Sequence, residues 1–425
     1  MQHTVHHETL SNGISLIVVP LPGTAAVTSV VFMEVGSRYE SDAQQGLAHF
    51  TEHMVFKGGK RYQTAQAIAQ ALDAVGGDFN AFTTQEFTGF YTKTAAEHAE
   101  LGVDVLSDML LNAAFPEDEL NREKGVIVEE INMYEDMPMR KVDHLFMQLL
   151  FGDSPLGRPI AGTKKSVTSF TVADFHKYRE QFYKGGNCTI AIAGAITVKE
   201  AQDFAEKYFK DLPSGDHVKA EPMRYQEEKR VLLESKKSEQ SHLMLAVRAY
   251  PDSHPKEYQL RLLSTILGGN MSSRLFISVR EKQGLCYYVR CHPDTYSDVG
   301  MLVASAGIDT TRVHQAITAI IKEFTILRDE TVSNEELERA KQYLIGKAHL
   351  NMEDSEQVAE YYGIQQLLEK KQESLEETIK KIRAVTPEEV RAVAQELFTD
   401  KELRLAVIGP HEDPSELDAL LVFPN

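Results

Sequence analysis

Strand-like patterning opens the chain. Residues 3–10 and 14–21 read as two short strands around Ser11-Asn12-Gly13, and an Asn-Gly between such runs predicts a hairpin. Residues 27–36 are more continuously apolar, as a buried strand is. The period then lengthens to that of a helix over 45–57 and 64–75, with Gly76-Gly77 stopping the second. DFNAFTT and FTGFYTK return to strand spacing. Helical patterns follow at about 96–112, 116–135 and 171–183, and the strand NCTIAIAG and a helix to about 209 close this half.

The pattern then lapses. Residues 213–226 are polar, carry two prolines and show no apolar period, which marks a linker. Beyond it the order starts again: strands VLLESKK and SHLMLAVRAY, a helix over 256–267, strands at 285–294 and 299–308, four helical stretches within 310–398, and a last strand over 402–409. Pro116-Glu117-Asp118-Glu119-Leu120 lines up with Ser333-Asn334-Glu335-Glu336-Leu337. Thr171-Val172-Ala173-Asp174 lines up with Thr386-Pro387-Glu388-Glu389, and Gly194 with Gly409. Near-constant offsets across separated segments predict an internal duplication. The expected fold is α+β: two homologous domains, 1–212 and 227–425, each a mainly antiparallel sheet packed with helices.

Composition narrows the function classes. Of 425 residues, 45 are basic and 63 acidic, for a net charge of −18, so a generic nucleic-acid binder is excluded. No apolar run is long enough to span a membrane, and no leader pattern opens the chain, so no membrane association is expected. Three cysteines, Cys188, Cys286 and Cys291, fit neither a disulfide framework nor a thiolate metal cage, which points to the reducing cytoplasm.

The chemistry concentrates in His49-Phe50-Thr51-Glu52-His53. Histidines four apart project from one helix face and suit two nitrogen ligands on one Zn²⁺. Glu52, beside them, reaches the same space without being a ligand, as a general base must. With 15 His and 63 acidic residues, H-x-x-[DE]-H arises by chance about 0.08 times per chain, so the motif needs a third ligand to become decisive. The best donor segment is FPEDELNREKGVIVEEINMYEDMP. Glu123 and Glu130 share a face two turns apart, Glu129 points about 100° away, and spacing alone does not choose between Glu129 and Glu130.

Together GSRYE (36–40), GLAHFTEH, FKGG, FNAFTTQEFTGFY and the acidic helix resemble the pitrilysin-type inverzincin peptidases, the family of insulin-degrading enzyme and mitochondrial processing peptidase. The resemblance spans essentially the whole chain. It implies that Glu130 is the third zinc ligand after His49 and His53, that Glu123 supports it, and that Glu52 is the catalytic base. It implies too that Asn80 and Ala81 lie on an edge strand that pairs with extended substrate. In the second half Gly269, Ser272 and Ser273 face the positions of His49, Glu52 and His53 when Leu267 is set against Leu47, so one zinc per chain is expected. That half instead carries Arg280 and Tyr287, matching the family's substrate-contacting pair, with Tyr288 the rival for register. Two-domain members act as dimers. The expectation is therefore a homodimer whose sites are shared in trans, enclosing a chamber for short or unfolded peptides. A presequence-processing peptidase and a non-catalytic assembly subunit are the alternatives. Two departures from the family pattern, Thr51 where leucine is common and FKGG at 56–59, touch no ligand.

Overall fold

The hairpin expected around Asn12-Gly13 forms: β1 (His6–Thr9) pairs antiparallel with β2 (Ser15–Pro20), and Gly13 takes φ 95°, which glycine adopts without strain. The structure, a computed structural model, describes residues 3–424. The remaining strands are β3 (Ala26–Met33), β4 (Asp78–Thr83), β5 (Thr88–Ala95), β6 (Cys188–Gly194), β7 (Val231–Ser235), β8 (Gln240–Ala249), β9 (Cys286–Thr295), β10 (Gly300–Asp309) and β11 (Arg404–Gly409). They make two sheets, in the orders β1-β2-β6-β3-β5-β4 and β7-β11-β8-β10-β9.

Set β1 aside and the two orders are the same. β2–β6 and β7–β11 are the parallel pairs, and every other pairing is antiparallel. Local signals repeat as well. Thr171 and Asp174 form a capping box at one helix start, as Thr386 and Glu389 do at its counterpart. The fold is α+β, built twice.

Element order corrects one detail of the repeat. The first α-helix after β3 is Leu47–Val55, and the first after β8 is Glu257–Gly268, so these two correspond. Phe276–Lys282 precedes β9 as Ala65–Asp73 precedes β4. Pairing Leu267 with Leu47 therefore slips by most of a helix, since Leu47 opens its helix while Leu267 stands next to the end of its own, and the matched leucine and phenylalanine spacing does not reveal this in the sequence.

The chain packs as two units, and they are not the two contiguous halves. One comprises 1–131, 159–221 and 348–375, and the other 132–158, 222–347 and 376–425. The linker 213–226 has no regular structure and is divided between them at Glu221 and Pro222. Two helices account for the exchange. Pro138–Phe151, where the sequence reading carries no helix, lies against β7, β8 and β11. Its Val142, Leu145, Phe146 and Leu149 recur at helical spacing and join a core with Met244, Met301 and Ile408. Ser355–Ile364 lies against β2, β3 and β6, the equivalent strands of the first sheet. Each sheet thus covers one face with a helix from the other half of the sequence. Among the described residues no helix is long and apolar enough to cross a membrane.

The contact between Ser355–Ile364 and the first sheet is tight. A Cβ at Gly363 would stand 2.5 Å from the ring of Phe32 and 3.0 Å from the Cβ of Ala191. Phe32 is fully buried, so the ring has nowhere to go. Leucine gains less than about 1 kcal/mol of helix propensity over glycine, whereas overpacking costs about 1–3 kcal/mol. Gly363→Leu is therefore expected to lower stability by roughly 1–2 kcal/mol in denaturant unfolding. An unchanged midpoint would show that the helix is not held this closely.

Candidate metal centre

The helix Leu47–Val55 is set by what precedes it. Gly46 sits at φ 90°, and a Cβ there would meet the Ala161 carbonyl at 2.6 Å, so only glycine fits. The buried Glu40 carboxylate then receives the first amides of the turn: Gly46 N–H donates at 2.8 Å and Ala48 N–H at 2.6 Å. An acid there satisfies donors that have no partner within the helix and complements the positive end of its dipole. Leu47, Phe50, Met54 and Val55 enter the core of the first unit. His49, Glu52 and His53 are left together on the other face. Thr51 is fully buried and its hydroxyl donates to the Leu47 carbonyl at 2.7 Å, which is how a polar residue is tolerated among apolar neighbours.

The second helix, Glu117–Asp136, anchors through Leu120 and Ile127 in the same core. That anchoring aims Glu123 and Glu130 at the histidines and leaves Glu129 exposed. One oxygen of Glu130 lies 3.7 Å from His49 Nε2 and the other 3.7 Å from His53 Nε2. These separations are too long for hydrogen bonds. They are close to the edge of a tetrahedron of ligands, about 3.4 Å for bonds of about 2.1 Å. Ligand atoms of His49, His53 and Glu130 all lie within 4.8 Å of one another, and among the described residues no other group of acidic, His or Cys side chains is placed to hold a metal ion. On the far side of the ring, His53 Nδ1 is 2.9 Å from Glu123, whose other oxygen takes a 2.7 Å contact from Lys57. A carboxylate behind a histidine fixes the ring and its tautomer, the usual support for a metal-binding imidazole.

The electrostatics suit that use. Burial, then the neighbouring His53, pushes His49 down to about 4, with Glu130 opposing. Its imidazole is therefore neutral at physiological pH, as ligation requires. Burial pushes the Glu52 carboxyl up, while the Thr83 hydroxyl at 2.5 Å pulls it back. For Glu123 burial also pushes up, but the hydrogen bonds from His53 and Lys57 outweigh it and hold the carboxyl below its ordinary value. Two imidazole nitrogens and one carboxylate oxygen, with a second-rank acid behind one ring, are a donor set that fits zinc.

The other expected residues fall in two places. Asn80 and Ala81 lie on β4, at the edge of the first sheet, and Asn80 Oδ1 accepts the Ala81 N–H at 2.9 Å. Arg280 and Tyr287 belong to the second unit and lie beside one another, with the guanidinium 5.9 Å from the Tyr287 ring and 4.5 Å from that of Phe276. Tyr287 is 76% exposed, whereas Tyr288 turns inward and its hydroxyl meets His242 Nδ1 at 3.1 Å. Three contributors escaped the reading of the sequence: Lys57, Glu40 and Thr83. Lys57 stands one turn after His53 and carried a usable signal. Glu40 was visible only as part of a motif, and nothing in the spacing announces Thr83.

Comparison with known proteins gives a consistent picture. The family model described as Insulinase (Peptidase family M16) matches residues 17–164, and the Peptidase M16 inactive domain matches 169–344. An uncharacterized zinc protease of Bacillus subtilis is 36% identical over 403 residues, covering 95% of this chain and 97% of that one. One of Streptomyces coelicolor is 32% identical, covering 96% and 90%. The fold is similar to that of a protease from Helicobacter pylori, with a TM-score of 0.88 at 20% identity over 96% of this chain and 100% of that one.

The depressed His49 has a consequence for stability. Between its folded pKa of about 4 and its ordinary value of 6.5 the unfolded chain binds the proton and the folded chain does not. Stability is then lost as pH falls through that window. Chelator-treated protein is expected to lose more stability between pH 7 and pH 4.5 than a His49→Asn variant does, by about 2–3 kcal/mol. Parallel curves in thermal melts would show that His49 is not held neutral by its surroundings.

Proposed function

Because the chain belongs to peptidase family M16, the insulinase family, we propose that it is a zinc-dependent endopeptidase acting on short or unfolded peptides. The observation that carries the reading is the convergence of His49, His53 and Glu130 with Glu52 alongside, since a peptidase site needs a metal-ligand set and a separate base in one place. His49, His53 and Glu130 would hold one zinc ion per chain. Zinc, when bound, supplies a Lewis acid that polarises the scissile carbonyl and eases deprotonation of water.

The chain's own residues perform the remaining work. The peptide lies as an added strand along β4, where Asn80 and Ala81 stand at the open edge of the sheet, and backbone pairing there tolerates varied side chains. Glu52 accepts a proton from the attacking water and hands it to the departing amine, so its carboxylate begins and ends ionised. Glu123 keeps the His53 ring turned and is itself kept ionised by Lys57. We assign Arg280 and Tyr287 to the carbonyl of the scissile bond, where a cation and a hydroxyl stabilise developing negative charge. The pair and the ligand set fall in different units of the chain. By the likeness to two-domain members of the family, the reading extends to a homodimer in which each site takes Arg280 of the partner subunit and Tyr287 of the partner subunit, around a chamber too small for folded proteins. An intact ligand set speaks against a purely structural subunit.

Glu52→Gln is expected to bind zinc at the parental stoichiometry while its turnover of a quenched peptide falls on the order of 10²–10⁴-fold. Parental turnover in that variant would mean the base lies elsewhere. Mixing Glu52→Gln with Tyr287→Phe protein should recover part of the activity once subunits exchange, and no recovery despite proven exchange would argue for a site complete within one chain. Glu123→Gln should weaken zinc binding by about 10–100-fold in competition with a chelator. Undiminished affinity would remove Glu123 from its supporting role.

A further inference from the structure

The geometry points to Thr83 as a positioning residue for the base: its hydroxyl holds one oxygen of Glu52 so that the other is presented for proton transfer. The inference rests on Glu52 being the base and adds the device that aims it. Thr83 Oγ1 stands 2.5 Å from Glu52 Oε2. An ionised carboxylate only accepts, so the hydroxyl donates, and the distance is that of a short charge-assisted hydrogen bond. A glutamate otherwise has several rotamers open to it, and proton transfer requires one. With Oε2 engaged, Oε1 is the oxygen free to take the proton.

Such an aim is worth having only if the strand end that carries the hydroxyl is fixed, and the structure fixes that strand end. Thr83 is the last residue of β4, paired in register with Thr88 of β5. The turn between them is closed by Thr84, whose amide donates to the Phe87 carbonyl at 2.8 Å and whose hydroxyl oxygen accepts the Phe87 amide at 3.0 Å. From outside, the amides of Ser37 and Arg38 donate to the carbonyls of Thr84 and Gln85. A Cβ at Gly36 would collide with the Thr84 carbonyl at 2.3 Å, so this close approach needs glycine. Arg38, itself buried, pairs with the buried Glu86 at 2.7 Å. The strand end that carries Thr83 is thus tied down by the same 36–40 segment whose Glu40 caps the helix carrying Glu52. Since β4 is also the sheet edge, the strand that would receive a peptide is the strand that aims the base.

The test uses Thr83→Val, which keeps the shape and removes the donor, and Thr83→Ser, which restores the donor. Both are made in the full chain and loaded with zinc. Thr83→Val should keep the zinc content and melting temperature of the parent, hold KM within about twofold, and lower kcat by about ten- to a hundredfold. Thr83→Ser should return kcat to within about threefold of the parent. In crystals the Glu52 carboxylate should leave its place in the valine variant and keep it in the serine variant. Parental kcat in Thr83→Val with an unmoved Glu52 would overturn the assignment, as would a serine variant as slow as the valine one. If the parent cleaves no peptide at all, the peptidase reading falls, and the position of Glu52 in the two crystals still decides the role of Thr83.

Discussion

Ligand-type side chains on two separate helices can share a metal ion only if those helices meet at one depth and one rotation. Here the meeting is enforced by apolar burial on the side away from the site. Phe50 and Met54 of one helix and Leu120 and Ile127 of the other enter the same core, each nearly free of solvent contact. Burying side chains of this size contributes about 1.5–3 kcal/mol apiece. The polar faces opposite have little freedom once those anchors are in place. Glu130 then stands equally far from both imidazoles because the helix beneath it has been placed by Ile127, three residues earlier.

Around that junction the polar groups form an ordered chain of support. Lys57 holds Glu123, Glu123 holds the His53 ring, and Glu40 holds the start of the helix on which His49, Glu52 and His53 stand. Each acid in the chain is partly or wholly buried and each has partners, as low-dielectric surroundings demand. The segment 36–40 matters at both ends. Its glycine and arginine fix the β4–β5 turn, and its glutamate caps the histidine helix. A motif that first looks like a family signature is, in physical terms, a brace between the helix carrying Glu52 and the strand beside it.

The duplication shows what chemistry the fold does and does not require. Both halves of the sequence keep the sheet order, the capping threonines and a long helix with an acidic first turn, because those specify packing. Among the described residues one keeps a His, His and Glu set, and the second presents an arginine and an exposed tyrosine instead. Each sheet also takes a covering helix from the opposite half of the sequence. The reciprocal placement of Pro138–Phe151 and Ser355–Ile364 on equivalent strands makes each half's sequence necessary to the other's core.

Much of this was written in local patterns. Period, turn residues and caps placed nearly every strand and most helices, because those signals act over a few residues and recur in both halves. The grouping of His49, Glu52 and His53 on one face was equally legible, since a helix of 3.6 residues per turn makes positions four apart neighbours whatever surrounds them. The choice of Glu130 over Glu129 needed the resemblance first and the geometry to see it, because which side of a helix faces a distant ligand depends on another element's position. The exchange of covering helices was invisible for the same reason: Val142, Leu145 and Phe146 declare an apolar face but not whose sheet it covers. Thr83 is the extreme case. A threonine ending a strand carries no mark of the carboxylate it meets, and only the fold brings Glu52, 31 residues away in the chain, to within 2.5 Å of its hydroxyl.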